Sequence, residues 1–332
     1  MHRIAQIGAG RMGSVHLRNA ARNPRLDLAY LVDPRPDAAE IAASVGARLA
    51  SLDEVLADAG VEGLIVAASA DAHLALARAG LAAGKAVFCE KPLDLDLATL
   101  KRAEAEFIRA KAPLFVAFNR RFDPHFRALA ERLQAGEIGE LESLQIVNHD
   151  PAAPPAHFIP TSGGLFKDFT IHDFDTASWL APEPFVEVFA WASCLVDPAI
   201  AAAGDVDTAR VLLRDAKGRL VVISNTRRSG CGYDQRIEAF GSAGMARAGD
   251  FGRDSVEVWG EPGAKAAPRH PGFMSRYAEA YRNEMEHFAD VLAGAAQPAT
   301  GYAASVQALA LAEAAARSVA TGAPVRLAEA RA

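Results

Sequence analysis

The chain reads as an α/β protein in two parts. A parallel sheet covered on both faces comes first, and an α+β region on a mostly antiparallel sheet follows. Three observations predict this. Short β-branched runs alternate with helical patterns through the first third. The glycine-rich turn Gly8-Ala9-Gly10-Arg11-Met12-Gly13 joins the first strand to the first helix. After Asn119 the pattern changes to longer strands separated by hairpin signals. The boundary is a change of pattern with no linker, which gives domains at 1–119 and 120–332.

In the first part, strands are predicted at Arg3–Ile7, Leu28–Val32, Gly63–Ala67, Ala86–Cys89 and Leu114–Phe118. Helices are predicted between them, at Met12–Arg22, Asp37–Val45, Leu52–Ala59, Ala72–Ala83 and Leu95–Ala110. The run Leu64-Ile65-Val66-Ala67 is continuously apolar, as a strand buried on both faces requires. Ser69 or Asp71 is suited to cap the helix that follows it. In the second part, a helix at Phe122–Gln134 ends at Gly136. Strands follow at Leu141–Asn148, Val186–Cys194, Thr208–Leu213, Leu220–Thr226, Gln235–Phe240 and Val256–Trp259. Lys217-Gly218 reads as a hairpin tip. A helix is expected over Asp168–Leu180, and two more, Phe273–Ala293 and Ala303–Val319, close the pattern.

Composition narrows the function. A hydrophobic fraction of 51% and a charged fraction of 23% suit a globular protein with a sizeable core. The formal net charge is -6 and there is no long basic run, which argues against nucleic acid or an anionic membrane as partner. The apolar stretches, such as Val61–Ala70, are of strand length and too short to span a bilayer. Met1-His2-Arg3-Ile4 runs straight into a strand, so no signal peptide is expected. The cysteines Cys89, Cys194 and Cys231 make neither a metal spacing nor a disulfide framework, and a cytoplasmic location is expected.

Gly8, Gly10 and Gly13 have the spacing and context of a dinucleotide-binding turn: a strand before, a helix after, and Asp33 at the end of the second strand. Gly8 permits the tight turn, Gly10 lets backbone approach a pyrophosphate, and Gly13 lets the helix lie close to the strand. Asp33 is placed to accept hydrogen bonds from ribose hydroxyls. A carboxylate there disfavours a 2′-phosphate, so NAD is expected over NADP, although Arg35 stands close enough to pair with such a phosphate.

Glu90-Lys91-Pro92 lies at the C-terminal end of the fourth predicted strand, where ligands bind in open α/β sheets. Taken alone, Lys91 is equally a surface lysine before a turn. Asp168 and His172 are four residues apart on the helix that follows Gly163-Gly164, and so share a face; Asp175 lies nearly there too. Oxidation of an alcohol needs a group to take the hydroxyl proton, and an imidazole oriented by a carboxylate does this well. The same residues also suit a helix with acids in its first turn and an interior histidine.

Taken together, Gly8–Gly13, Glu90-Lys91-Pro92 and Gly163-Gly164-x-x-x-Asp168-x-x-x-His172-Asp173 resemble the glucose–fructose oxidoreductase / inositol dehydrogenase family over nearly the whole chain. Asn119-Arg120-Arg121-Phe122-Asp123-Pro124 and Gly232-Tyr233-Asp234-Gln235 are similar to segments of bacterial inositol 2-dehydrogenases. The resemblance implies an N-terminal Rossmann domain and a C-terminal α+β domain whose large open sheet assembles dimers or tetramers. It implies that Lys91 contacts the reacting hydroxyl, that Asp168 binds substrate and that His172 transfers the proton. Arg121 and Tyr233 match positions lining a polyol site, and Asn148 or His149 falls in the strand that adds further hydrogen bonds. Gly8, Gly10, Arg11, Met12, Gly13, Asp33, Ser69, His73, Glu90 and Lys91 form the implied cofactor set, with no metal.

The implied activity is NAD-dependent oxidation of myo-inositol to 2-keto-myo-inositol. A scyllo-inositol or aldose 1-dehydrogenase is the alternative on the same fold. A non-catalytic dinucleotide-binding sensor is a more remote one. Two segments depart from the family pattern: Val147-Asn148-His149-Asp150-Pro151, and Ala68-Ser69-Ala70-Asp71-Ala72-His73, which retains the histidine.

Overall fold

Each half of the chain builds its own sheet in a computed structural model, which describes residues 1–261 and 263–327. Residues 262 and 328–332, which the sequence pattern groups with the second domain, lie outside the described residues. Contacts divide the chain into one unit of Met1–Phe122 with Ala280–Leu309, and another of Asp123–Glu279 with the residues from Ala310 onward.

The first sheet contains β1 (His2–Ile7), β2 (Leu26–Val32), β3 (Arg48–Leu49), β4 (Gly63–Val66), β5 (Ala86–Glu90) and β6 (Leu114–Ala117). Its order is β3-β2-β1-β4-β5-β6, and every pairing is parallel. Strand order therefore reverses between β1 and β4, the point at which a doubly wound sheet opens a crevice at its C-terminal edge. Helices α1 (Arg11–Arg22), α2 (Ala38–Ser44), α3 (Leu52–Ala57) and α4 (His73–Ala82) connect the strands. The helix predicted over 95–110 is split into α5 (Leu97–Arg102) and α6 (Glu104–Arg109). The break falls at Ala103, whose N–H is shared between the carbonyls of Thr99 and Leu100. Ile4, Leu64, Ile65 and Phe88 are fully buried, and Phe88 meets Phe115 and Phe288 edge to face. Phe288 thus brings the late segment of the chain into the core of this unit.

The second unit starts with α7 (Pro124–Gln134), capped by the Asp123 carboxylate. Then come β7 (Leu141–His149), the short α8 (Ile159–Ser162), one turn of π-helix (Leu165–Thr170) and α9 (Ile171–Leu180). β8 (Phe185–Ser193), α10 (Pro198–Ala202), β9 (Thr208–Asp215), β10 (Leu220–Thr226), β11 (Asp234–Gly241) and β12 (Gly244–Ala248) follow. β13 (Glu257–Gly260) and β14 (Gly263–Ala266) form a separate hairpin. α11 (Phe273–Arg276), α12 (Ala278–Leu292), α13 (Tyr302–Thr321) and β15 (Val325–Arg326) complete the described chain.

The large sheet runs β12-β11-β7-β10-β9-β8-β15. It is antiparallel except at β7 and β10, which pair in parallel. Along β9 and β10 residues alternate strictly between buried and open. Leu144, Ile146, Val211, Leu213, Ile223 and Ile237 make the buried face, while Leu212, Val222 and Trp191 belong to the open one. The hairpin tip at Lys217-Gly218 is present, with Gly218 at φ 86 and the Asp215 carboxylate accepting from the N–H groups of Lys217 and Arg219.

Candidate active site

Two sets of candidate residues lie in separate units, and each is built by its own elements. In the first unit the glycine turn leaves no room for side chains where chain meets chain. A Cβ on Gly8, at φ 90, would lie 2.4 Å from the Ala67 carbonyl oxygen, and one on Gly13 would lie 2.4 Å from that of Gly8. The Gln6 amide ties the turn from below, donating to the carbonyls of Gly8 and Gly13 at 2.8 and 2.7 Å. Gly10 differs: nothing lies within 4 Å of the position its Cβ would take. It is also the N-cap of α1 and offers no side-chain cap. An open helix start with uncapped amide groups suits a pyrophosphate, so the residues present fit a dinucleotide.

Asp33 stands at the edge of this turn. Its carboxylate accepts the Ala9 N–H at 2.7 Å and the Arg35 N–H at 2.9 Å. Burial pushes its pKa up, but these bonds and the Arg35 guanidinium outweigh burial and hold it below the usual carboxylate range. Arg35 is folded back, donating to Asp33 at 3.1 Å and to the Ala9 carbonyl at 2.8 Å. That commits the guanidinium to the loop and favours an unphosphorylated ribose there. Arg11 is exposed, and Met12 half-buried, at the start of α1.

The end of β5 is organised by a buried carboxylate. Glu90 holds the His16 ring of α1 at 2.6 Å through one oxygen and accepts the Lys91 N–H at 3.1 Å through the other. His73 contacts the Pro92 and Ala68 carbonyls, one ring nitrogen on each, at 2.8 and 3.2 Å. Lys91 is half-buried, and its peptide bond to Pro92 is cis. Ser69 is exposed on the neighbouring loop after β4. Arg121 is half-buried in the turn that follows β6. The structure therefore gathers Gly8–Gly13, Asp33, His73, Glu90 and Lys91 along the C-terminal edge of one sheet.

Beneath that edge lies Glu284 of α12, wholly buried, with no hydrogen-bond partner for either carboxyl oxygen among the described residues. Burial first, then the charge of Glu90, pushes its pKa well above the usual carboxylate range. Its neutral form is therefore favoured in the folded protein.

In the second unit, Gly163 and Gly164 both adopt φ 80, which turns the chain into the π-helical turn. The Asp205 carboxylate accepts the Leu165 N–H at 3.0 Å and so secures the start of that turn. The helix expected over Asp168–Leu180 is thus π-helical up to Thr170 and α-helical from Ile171, so Asp168 and His172 lie on either side of the junction. Asp168 pairs with the buried Arg227 at 3.1 Å.

Asp173, the neighbour of His172, is fully buried and accepts from the amides of Asn148 and Asn225 at 2.9 and 2.8 Å. Gln235 donates to the Asn148 side-chain oxygen, and the Tyr277 hydroxyl donates to Gln235 at 2.9 Å. Asn148 therefore faces α9, with both ends of its amide engaged. His149 faces the open side of the sheet. It bonds the Ser224 hydroxyl at 2.9 Å and approaches Asp234 at 3.6 Å, and burial lowers its pKa. Of the two alternatives on this strand, only Asn148 shares a face with the helix of His172. Tyr233 is 4% exposed, against Tyr277.

Sequence reasoning passed over His16 and Arg227. His16 lies three residues beyond Gly13 on the buried side of α1, a position that reads as core. Arg227 is one of an Arg-Arg pair after β10, and that pair reads as surface. No group of side chains suited to hold a metal occurs among the described residues, and no described helix is long and apolar enough to cross a membrane.

Comparison with known proteins covers both units. Residues 2–118 match the family described as oxidoreductase family, NAD-binding Rossmann fold, and residues 126–247 match the GFO/IDH/MocA C-terminal domain. The chain is 43% identical to an inositol 2-dehydrogenase of Rhizobium meliloti, over 96% of this chain and 97% of the relative. It superposes on the crystal structure of a putative myo-inositol dehydrogenase from Sinorhizobium meliloti with a TM-score of 0.95 at 42% identity, covering 99% of this chain and 100% of the other. A scyllo-inositol dehydrogenase from Lactobacillus casei, solved with bound NAD(H) and scyllo-inositol, superposes with a TM-score of 0.92 at 25% identity, covering 98% of this chain and 99% of that one.

Two tests follow from the first unit. Asp33→Ala removes the carboxylate at the edge of the turn and releases Arg35, so the ratio of kcat/KM with NAD to that with NADP is expected to fall by about tenfold or more. An unchanged ratio would place ribose recognition elsewhere. The raised pKa means that folded Glu284 holds its proton to a higher pH than the unfolded chain does. Its contribution to stability is therefore fully present below that pKa and declines as pH rises, by up to about 1.4 kcal/mol per pH unit. Thermal unfolding between pH 5 and pH 8 should show this decline in the wild type and a shallower one in Glu284→Gln. Parallel curves would mean that Glu284 is ionised in the fold.

Proposed function

Because the chain belongs to the GFO/IDH/MocA oxidoreductase family, we propose that it oxidises a secondary ring hydroxyl of a cyclitol with NAD, converting myo-inositol to 2-keto-myo-inositol. The observation that carries this reading is the likeness to an inositol 2-dehydrogenase along 96% of the chain. The cradle at Gly10 and Asp33 suits the cofactor on independent grounds.

In this reading NAD supplies the acceptor for the hydride that leaves carbon 2. His172 takes the hydroxyl proton as the carbonyl forms. Lys91 stabilises the negative charge developing on that oxygen. Asp168, held by Arg227, accepts a hydrogen bond from a neighbouring hydroxyl. Arg121 and Tyr233 add polyol contacts, because each buried hydroxyl left unpaired costs about 1–3 kcal/mol. Asn148 acts from behind by holding Asp173 on α9.

The likeness to a scyllo-inositol dehydrogenase favours a second reading. Myo-inositol carries one axial hydroxyl, at carbon 2, whereas scyllo-inositol carries none, and both give the same ketone. Initial rates with the two cyclitols and with glucose, each with NAD and NADP, separate the readings. The highest kcat/KM is expected for myo-inositol with NAD. A higher value for scyllo-inositol or glucose would replace the proposed substrate.

We also propose that the open face of the large sheet joins copies of the chain in a dimer or tetramer. Phe189, Leu212 and Val222 are adjacent across β8, β9 and β10, and Trp191, 64% exposed, flanks them. A face with this much exposed apolar side chain suits burial against a second copy.

Lys91→Ala and His172→Ala are each expected to cut turnover by about 100-fold or more while NAD binding survives. Wild-type rates in either would remove that residue from the mechanism. A Trp191→Glu, Val222→Arg double variant is expected to sediment at lower mass than the wild type. An unchanged mass would move the assembly surface off this face.

A further inference from the structure

We propose that Arg227 is a positioning residue that holds Asp168 in the orientation and charge state needed to bind the substrate's hydroxyls. This rests on the reading of Asp168 as the substrate-binding acid.

The geometry begins with the sheet. β7 and β10 are the parallel pair, so their C-terminal ends emerge side by side. The Asp150 N–H donates to the Thr226 carbonyl at 2.9 Å, which continues the ladder one step and sets Asp150 beside the residue after Thr226, namely Arg227. The Arg227 backbone is fixed in turn, its N–H donating to the Asp207 carbonyl at 2.8 Å. From this anchored point the guanidinium is 4.6 Å from the centre of the Phe169 ring, next to Asp168 in the π-helical turn. One terminal nitrogen pairs with Asp150 at 3.3 Å and the other with Asp168 at 3.1 Å. The Arg227 side chain is 4% exposed, whereas Asp150 and Asp168 are 17% and 20% exposed. One buried cation thus holds two carboxylates that lie nearer the surface of the unit.

Charge and shape both matter here. A carboxylate paired with a guanidinium stays ionised, and an ionised carboxylate is the stronger acceptor toward a hydroxyl. The planar fork holds two acids at fixed directions, which a lysine ammonium does not reproduce. Without the cation, Asp150 and Asp168 repel each other, so that one takes up a proton or turns away. A residue that only filled space beside Phe169 would show none of this dependence on Asp150.

The test uses Arg227→Met, Arg227→Lys, Asp168→Asn and the double variant Asp150→Asn, Arg227→Met, with steady-state kinetics on myo-inositol and a fluorescence titration of NAD. For Arg227→Met the account predicts KM raised by about tenfold or more, with NAD affinity within about twofold of wild type. Arg227→Lys, which keeps the charge and guards against a misfolded Met variant, is expected to raise KM by about fivefold. The double variant is expected to recover part of the lost KM, because the second carboxylate is gone. Wild-type KM in both Arg227 variants, with Asp168→Asn impaired, would overturn the inference and leave the reading of Asp168 intact. A raised KM with no recovery in the double variant would also overturn it, as the mark of a packing role. Wild-type kinetics in Asp168→Asn would overturn the reading on which the inference rests.

Discussion

The cofactor edge of the first unit depends on one buried carboxylate. Glu90 ends β5, takes His16 of α1 on one oxygen and accepts the Lys91 N–H on the other. Buried charges persist only where their hydrogen bonds are satisfied, so this group links three parts of the unit at once: the helix whose open start suits a pyrophosphate, the strand, and the backbone of the lysine proposed to contact the reacting hydroxyl. His73 makes a second tie nearby, between the loop after β4 and Pro92. The glycines supply the complementary constraint. At Gly8 and Gly13 backbone meets backbone at distances that exclude any side chain, and at Gly10 the same turn stays open. The cofactor cradle is the space left by that arrangement.

The second unit solves a similar problem with a larger polar network. Asp173, Asn148, Asn225, Thr170, Gln235 and Tyr277 hydrogen-bond to one another between α9 and the sheet. A buried network of this kind is unfavourable unless its members find partners, and once satisfied it sets the register of helix on sheet more narrowly than apolar packing does. The narrow register bears on the proposed reaction because His172, the proposed proton acceptor, precedes Asp173. Arg227 extends the same logic to Asp168, with charge in place of neutral amides.

Much of this was legible in the sequence, for reasons that differ residue by residue. Gly8, Gly10 and Gly13 stand out because a strand precedes them, a helix follows and an acid closes the second strand. Backbone sterics leave few other uses for that pattern. Short apolar runs between helical patterns announced the first sheet, and longer runs separated by hairpin signals announced the second. The parallel pairing of β10 with β7 was not legible, since strand order depends on long-range packing that no local spacing encodes. The two-residue strands β3 and β15 are too short to carry a pattern. The π-helical turn at Asp168 depends on two positive-φ glycines and the distant Asp205. His16 and Arg227 stayed hidden because their partners, Glu90 and Asp168, are 74 and 59 residues away. The strand near residue 148 pointed to one side chain or the other, and only the observed faces separate Asn148 from His149.

The central claim is hydride transfer from carbon 2 of a cyclitol to NAD. The most direct measurement supplies myo-inositol deuterated at carbon 2 with NAD and determines, by mass spectrometry of the reduced nucleotide, whether deuterium has moved to it. The account predicts one deuterium in each NADH formed. NADH that carries no deuterium, or no NADH at all from myo-inositol, would contradict it.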